Sequence, residues 1–282
     1  MKKLIMMVEL LPMMALAATW YVNGSTGLDS NSGASESAPK ETIQAAIDAS
    51  SAEDLILVAP GTYAPITTDN KAITIQSTDG ADNTIIDGDG KSRCAFLGTS
   101  TNECATVLRG FTLTNGYLYI STTGNGVRGA GARGGTIKDC AIVGCRIGGG
   151  FGGCGGDGGG AADARISRCV IDDCKALAGG GVTCCIVASS IIKNCYARDD
   201  GGGADGSVLC GCLLLGNYGY NTGGGSSGSA MRGSKAYNCT VVGNTASSGG
   251  TLSKAHTPLI IFGSPYILKP SRHFFVSIFN KI

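Results

Sequence analysis

Two adjacent aspartate pairs, Asp172-Asp173 and Asp199-Asp200, are the residues of this 282-residue chain best suited by type to acid–base chemistry. A glycosidase cleaves with two carboxyl groups facing one cleft, about 5 to 9.5 Å apart. A lyase would instead cluster carboxylates around a cation beside a Lys or Arg base. Arg146, Arg168 and Lys193 are available for that role. Three further patterns imitate ligand sites. Gly152-Gly153-Cys154-Gly155-Gly156-Asp157 begins like a calcium-binding nonapeptide, but it occurs once and lacks the apolar residue that should follow. Asp87-Gly88-Asp89-Gly90 has Gly98 where a calcium loop needs a bidentate Glu. Gly124, Gly126 and Gly129 have dinucleotide-motif spacing, which a glycine-rich chain produces by chance. No metal, nucleotide or other cofactor is therefore expected.

These residues must be positioned by a repeat. Five segments align without gaps, beginning at Ile137, Ile166, Val187, Leu209 and Ala236. Within them Ile142, Ile171, Ile192, Leu214 and Val241 form an always aliphatic column. Alternation places that column inside and its neighbours outside. Glycine triplets at 158–160, 179–181, 201–203 and 223–225 recur in phase with the strands and supply corners where the chain must bend sharply or adopt positive φ. Units of about 22 residues with one short strand and sharp corners describe a solenoid, whose core forms only by stacking. Interior glycines cost a helix about 1 kcal/mol each, so the solenoid is a parallel β-helix of about nine coils between Asp54 and Gly250.

Cysteines fall in two columns: Cys140, Cys169, Ser190, Cys212, Cys239, and Cys145, Cys174, Cys195, Asn217, Asn244. Stacked thiols packing as small apolar groups are the favoured reading. Disulfides between neighbouring coils and a metal site are the alternatives, although zinc needs four converging ligands.

Ahead of the repeat lie Tyr21-Val22-Asn23, Asp29, Asn31, Gly33, the segment 42–48 and the run 54–63, which ends in Pro60-Gly61-Thr62-Tyr63. These resemble the N-terminal part of secreted right-handed parallel β-helix proteins of the pectin-lyase-like type. The glycine-rich repeats with Asn-Cys resemble those of polymorphic outer-membrane proteins. The resemblance implies an all-β, right-handed parallel β-helix with a short N-terminal capping helix. Ile43, Ala46 and Ile47 supply that helix with one apolar face. The Gly-His-Gly pattern of polygalacturonases is missing, because the only histidines are His256 and His273.

The chain is organised as a signal peptide over 1–17, a capping segment over 18–53, the β-helix over 54–250 and an atypical tail over 251–282. The first segment has Lys2-Lys3, an apolar run and a small-x-small site at Ala15-Leu16-Ala17. The tail reads either as an irregular cap or as a truncated or frame-shifted end. The expected protein is secreted or displayed at the cell surface, with no transmembrane span. A net charge of +1 gives no electrostatic case for nucleic acid.

The outward columns Val170, Ile191, Leu213, Thr240 and Val143, Leu215, Val242 are apolar for a solvated sheet and form a candidate contact face. The resulting expectation is a binding or adhesion scaffold for a surface glycan, another protein or a second copy. The alternative is an extracellular polysaccharide lyase or glycoside hydrolase, with Asp172, Asp173, Asp199 and Asp200 as candidate catalytic residues.

Overall fold

The computed structural model describes residues 17–102, 104–120, 127–149, 156–220 and 228–247, and three later strands by their backbone alone. The leader, the triplet at 223–225, both histidines and most of the two glycine motifs at 124–129 and 152–157 lie outside the described residues.

The chain is a right-handed parallel β-helix. Four sheets of nine, ten, eight and eight strands run along it, and their strand pairings among the described residues are parallel. One full coil passes through Thr136–Lys138 in the first sheet, Ala141–Val143 in the second, Arg146–Gly149 in the third and Ala161–Ala162 in the fourth. The expected register holds. Ile142 lies beside Ile171, then Ile192, Leu214 and Val241, and all are at most 1% exposed. Burying each such side chain is worth about 1.5–3 kcal/mol.

Three corners of the coil share one device. A left-handed residue is followed by a small buried one. The pairs are Asp139-Cys140, Arg168-Cys169 and Asn238-Cys239 after the first sheet. After the second sheet they are Gly144-Cys145, Asp173-Cys174 and Gly216-Asn217. Cys184-Cys185, Gly206-Ser207 and Gly233-Ser234 form a third column, at the corner after the fourth sheet, which the sequence repeat does not reveal. Asp, Asn and Gly, which tolerate positive φ best, hold most of these positions, with Arg168 and Cys184 the exceptions among the pairs named. The buried residue accepts the backbone N–H of its counterpart one coil earlier. Cys169 N–H donates to Ser190 Oγ at 3.1 Å, Cys185 N–H to Ser207 Oγ at 3.1 Å and Cys195 N–H to Asn217 Oδ1 at 3.0 Å. Thiol, hydroxyl and amide are therefore interchangeable there. All twelve described cysteines are free thiols.

Within each glycine triplet the two uses are divided. Only the first of each described triplet has positive φ: Gly158, Gly179 and Gly201. The second and third are required by close approach. A Cβ on Gly180 would lie 2.3 Å from the Tyr196 carbonyl oxygen, and one on Gly181 would lie 2.6 Å from that of Gly203.

Between Asp54 and Gly250 the second sheet has eight strands, not nine. The whole third sheet is an addition to the coil from Tyr117 onward, and it lengthens several turns. Eight strands at about 4.8 Å span about 34 Å. Leu259–Phe262 and Val276–Phe279 extend that sheet further, and Leu252–Ser253 extends the fourth.

At the other end, the helix Ile43–Ala49 closes the core with Ile43, Ala46 and Ile47 buried. Thr42 caps it, its side chain accepting from Ala45 N–H at 3.2 Å. Thr19–Val22 pairs with Leu55–Val58 as the first strand of the first sheet.

Candidate functional site

The structure separates the aspartates singled out by sequence. Asp172 ends the strand Val170–Asp172 on the second sheet, where Lys193 Nζ lies at 3.1 Å and Asn194 Nδ2 donates at 2.9 Å. Asp173 is a left-handed corner residue paired with Lys175 at 3.1 Å. Asp199 and Asp200 end the strand Tyr196–Asp200 of the third sheet. Asp199 lies 3.4 Å from Arg198 Nε. Only Asp200 enters a larger cluster.

That cluster occupies the bend between the third and fourth sheets. The glycine triplets turn the chain so tightly that side chains from the two outer faces converge. A Cβ on Gly179 would lie 3.0 Å from Thr183 Oγ1, and one on Gly201 would lie 3.2 Å from Asp205 Cβ. The outside of this corner is therefore concave. Into it project Asp157, Asp163, Asp200 and Asp205 with Arg128, Arg133 and Arg232. Arg128 lies along the groove, 3.5 Å from Asp157 and 3.3 Å from Asp163, and its Nη1 donates to Cys184 Sγ at 3.5 Å. Arg133 holds Asp163 at 3.0 Å. Arg232 bridges Asp200 and Asp205, the latter at 3.2 Å. Arg93 backs the cluster by donating to the Gly129 and Arg128 carbonyls at 2.7 and 2.8 Å. Burial, with Arg133 nearby, pushes Arg93 down to about 10.

Two carboxyl groups in this groove are perturbed. Burial, reinforced by the Asp157 carboxylate, raises Asp205 to about 6 against the pull of Arg128 and the Thr183 hydroxyl. Burial likewise raises Asp157, against the pull of Arg128 and Arg232. An acid raised in the folded state costs nothing below its unfolded value and costs most above its folded one. Stability at this site therefore falls as pH climbs from about 4 through about 6. Asp205→Asn is expected to match the wild type at pH 4 and to exceed it by up to about 3 kcal/mol at pH 7.5. Urea melts at the two pH values check this, and a gap that shrinks with rising pH contradicts it.

The outer face of the third sheet adjoins the groove. One column reads Tyr117, Arg146, Lys175, Tyr196, Tyr218 by strand register. Alternation adds Tyr119, Arg198 and Tyr220 beside it. Five of the nine tyrosines thus share one face. Tyr196 and Tyr218 stack with centroids 5.6 Å apart and planes 15° apart. The Arg146 guanidinium sits 5.2 Å over the Tyr117 ring, a cation–π contact. Tyr119 and Tyr220 are 65% and 45% exposed. Where the sheet starts, a cleft of about 340 Å³ is lined by Asp89, Asn115, Tyr117, Arg146 and three glycines.

Sequence reasoning missed this face because its strands fall outside the aligned repeat. The aromatic spacing 117, 119, 196, 218, 220 was the available signal. The outer columns Val170, Ile191, Leu213, Thr240 and Val143, Leu215, Val242 lie on the second sheet. All are half-buried except Leu215, which is 37% exposed. No three His, Cys, Asp or Glu side chains among the described residues are grouped to hold a metal ion. No helix among them is long and apolar enough to cross a membrane.

This coil geometry is that of a right-handed parallel β-helix. A family model of a protein of unknown function, DUF1565, matches residues 25–79. No curated protein sequence matches the chain. Solved structures similar to it include a pectate lyase, with 14% identity and TM-score 0.48 over 87% of this chain and 68% of that one. A rhamnogalacturonan lyase shows 16% identity and TM-score 0.38 over 87% and 67%. A lacto-N-biosidase from Eubacterium ramulus shows 10% and 0.49 over 87% and 56%. Likenesses this distant assign no activity.

Proposed function

We propose that the protein is an extracytoplasmic carbohydrate-binding β-helix that holds an extended glycan across the outer face of its third sheet. The supporting observation is the concentration of Tyr117, Tyr119, Tyr196, Tyr218 and Tyr220 with Arg146, Lys175 and Arg198 on that one face, beside a charged groove. Tyrosine offers a large, rigid, amphipathic surface at little entropic cost. Sugars present both C–H faces and hydroxyls to such a surface. The apolar strip on the second sheet lacks aromatic residues among its described columns and suits a protein partner or a second copy better.

The test is calorimetric titration with a panel of neutral and acidic oligosaccharides. At least one is expected to bind. Tyr196→Ala and Tyr218→Ala are each expected to weaken it about tenfold, on the order of 1–1.5 kcal/mol, without shifting the melting temperature by more than a few degrees. Failure of the whole panel to bind, or unchanged affinity in both variants, refutes the reading.

A second reading, cleavage of the bound polysaccharide, is favoured by the raised carboxyl groups Asp157 and Asp205, since a general acid works best with a pKa near the operating pH. Release of reducing or unsaturated ends during the same incubations, abolished in Asp205→Asn, would move the protein from binder to enzyme.

A further inference from the structure

We propose that the N-terminal end of the groove, where Arg93 and Arg133 meet at Phe96, binds one tetrahedral oxyanion, the sulfate or phosphate ester of a substituted glycan. That the ester is carried by a glycan rests on the reading given above. That the site takes the anion does not.

Phe96 and Arg133 are register partners on adjacent strands of the fourth sheet, so their backbones lie about 4.8 Å apart. Ala95 and Ala132 beside them are fully buried, which turns Phe96 and Arg133 outward. The Arg93 guanidinium lies 5.2 Å over the Phe96 ring. Its Nε and Nη2 donate to the Gly129 and Arg128 carbonyls at 2.7 and 2.8 Å. Those bonds and the ring hold the guanidinium in place and leave Nη1 free. Arg133 uses only Nε, on Asp163 at 3.0 Å. Arg93 Nη1 and both Nη groups of Arg133 therefore have no hydrogen-bond partner among the described residues.

The charges at this end do not balance. Asp163 gives one carboxylate oxygen to Arg128 and the other to Arg133, and Asp157 faces Arg128. Both carboxylates are thus engaged by Arg128 and Arg133, and among the described residues no acid pairs with Arg93. Burial and the Arg133 charge both work against the Arg93 cation. An anion between the two guanidiniums would replace that repulsion with two attractions, in a corner where partial burial strengthens them. The site is open to such a ligand from the cationic side, since the Arg133 side chain is 25% exposed and that of Asp163 only 11%.

The arrangement of the donors selects the anion. A guanidinium edge matches two oxygens in one plane. A carboxylate can fill the outer edge of Arg133 but then has no oxygen left for Arg93 Nη1. A sulfate or phosphate ester keeps three unesterified oxygens, spread tetrahedrally, and can meet donors from two different coils at once. Val127–Arg128 and Gly156–Asp157, which form one wall of the groove, belong to the third sheet. A glycan lying along that sheet would therefore bring its substituents to this bend.

The experiment is equilibrium dialysis of the full-length chain against radiolabelled inorganic sulfate at fixed ionic strength, followed by competition with glucose 6-sulfate, glucose 6-phosphate and glucuronate. Saturable binding of a single sulfate is expected. Arg133→Gln should weaken it about tenfold or more, as the loss of charged hydrogen bonds does. Arg168→Gln, which removes an exposed arginine on another sheet corner, should leave it unchanged. Arg93→Gln should match Arg133→Gln, and where it fails to fold Arg133→Gln alone decides. At least one of the two esters should displace sulfate at roughly a tenth of the glucuronate concentration, and the better competitor identifies the ester. Absence of saturable sulfate binding, unchanged binding in Arg133→Gln, an equal loss in Arg168→Gln, or glucuronate competing as well as both esters overturns the proposal. Inorganic sulfate makes no use of the tyrosines, so its binding can succeed where every oligosaccharide fails, and the reverse.

Discussion

Ile192→Asp is expected to abolish cooperative folding of the solenoid, whereas Ile191→Asp, one residue away, leaves it folded. Ile192 is fully buried, with Ile171 and Leu214 beside it in the neighbouring coils. A carboxylate there has no partner. The loss of burial, about 1.5–3 kcal/mol, adds to about 3–5 kcal/mol for an unpaired buried charge. Their sum is comparable with the whole stability of a typical domain. Because each coil is stabilised by its neighbours, the damage spreads from the middle of the stack. Ile191 faces outward beside Val170 and Leu213 and is half-buried. Its replacement should cost about 1 kcal/mol or less and improve solubility. Circular dichroism and thermal melting of both variants check this. Equal damage would mean that the outer strip is covered, and damage from Ile191→Asp alone would reverse the inside–outside assignment.

Gly180→Ala should destabilise the protein by several kcal/mol, although it adds one methyl group. The new Cβ would sit 2.3 Å from the Tyr196 oxygen, 2.5 Å from the Tyr196 carbonyl carbon and 2.6 Å from the Gly202 oxygen. All three are backbone atoms of the following coil, so relief requires the coils themselves to separate. Overpacking of this kind typically costs 1–3 kcal/mol even where side chains can move. The control is Gly243→Ala. That glycine has φ of +61°, but nothing lies within 4 Å of its Cβ position. Only left-handed strain remains, about 1–2 kcal/mol. Urea denaturation of the pair separates the two reasons for glycine in this fold, and equal losses would contradict the close approach at Gly180.

The same glycine triplets that make the stack tight also make the groove. A residue with a Cβ at position 179 or 201 would fill the corner into which Thr183 and Asp205 project. The carboxylates of the groove therefore depend on the glycine positions as much as on their own side chains.

The amino-acid sequence by itself determined the coil and its inside. The aliphatic column from Ile142 to Val241 is readable because a buried face tolerates only apolar residues at every second position, and each coil repeats the requirement. The corner pairs such as Asp139-Cys140 and Asn194-Cys195 are readable because positive φ and a tight buried site each admit few residue types. The capping helix was legible from three apolar positions on one face. Tertiary structure alone decided the third sheet and the groove. The tyrosines and cations of that sheet are exposed, so packing imposes no period on them and the alignment passes over them. The groove joins Arg128 to Cys184 and Asp200 to Arg232 across 56 and 32 residues. Coils of unequal length bring such residues into contact, and only the stacked structure shows which coil follows at what offset. This is why Asp200, one of four aspartates equally eligible by sequence, met Asp205 and Arg232 in a concave corner while Asp172 paired with Lys193 on another sheet.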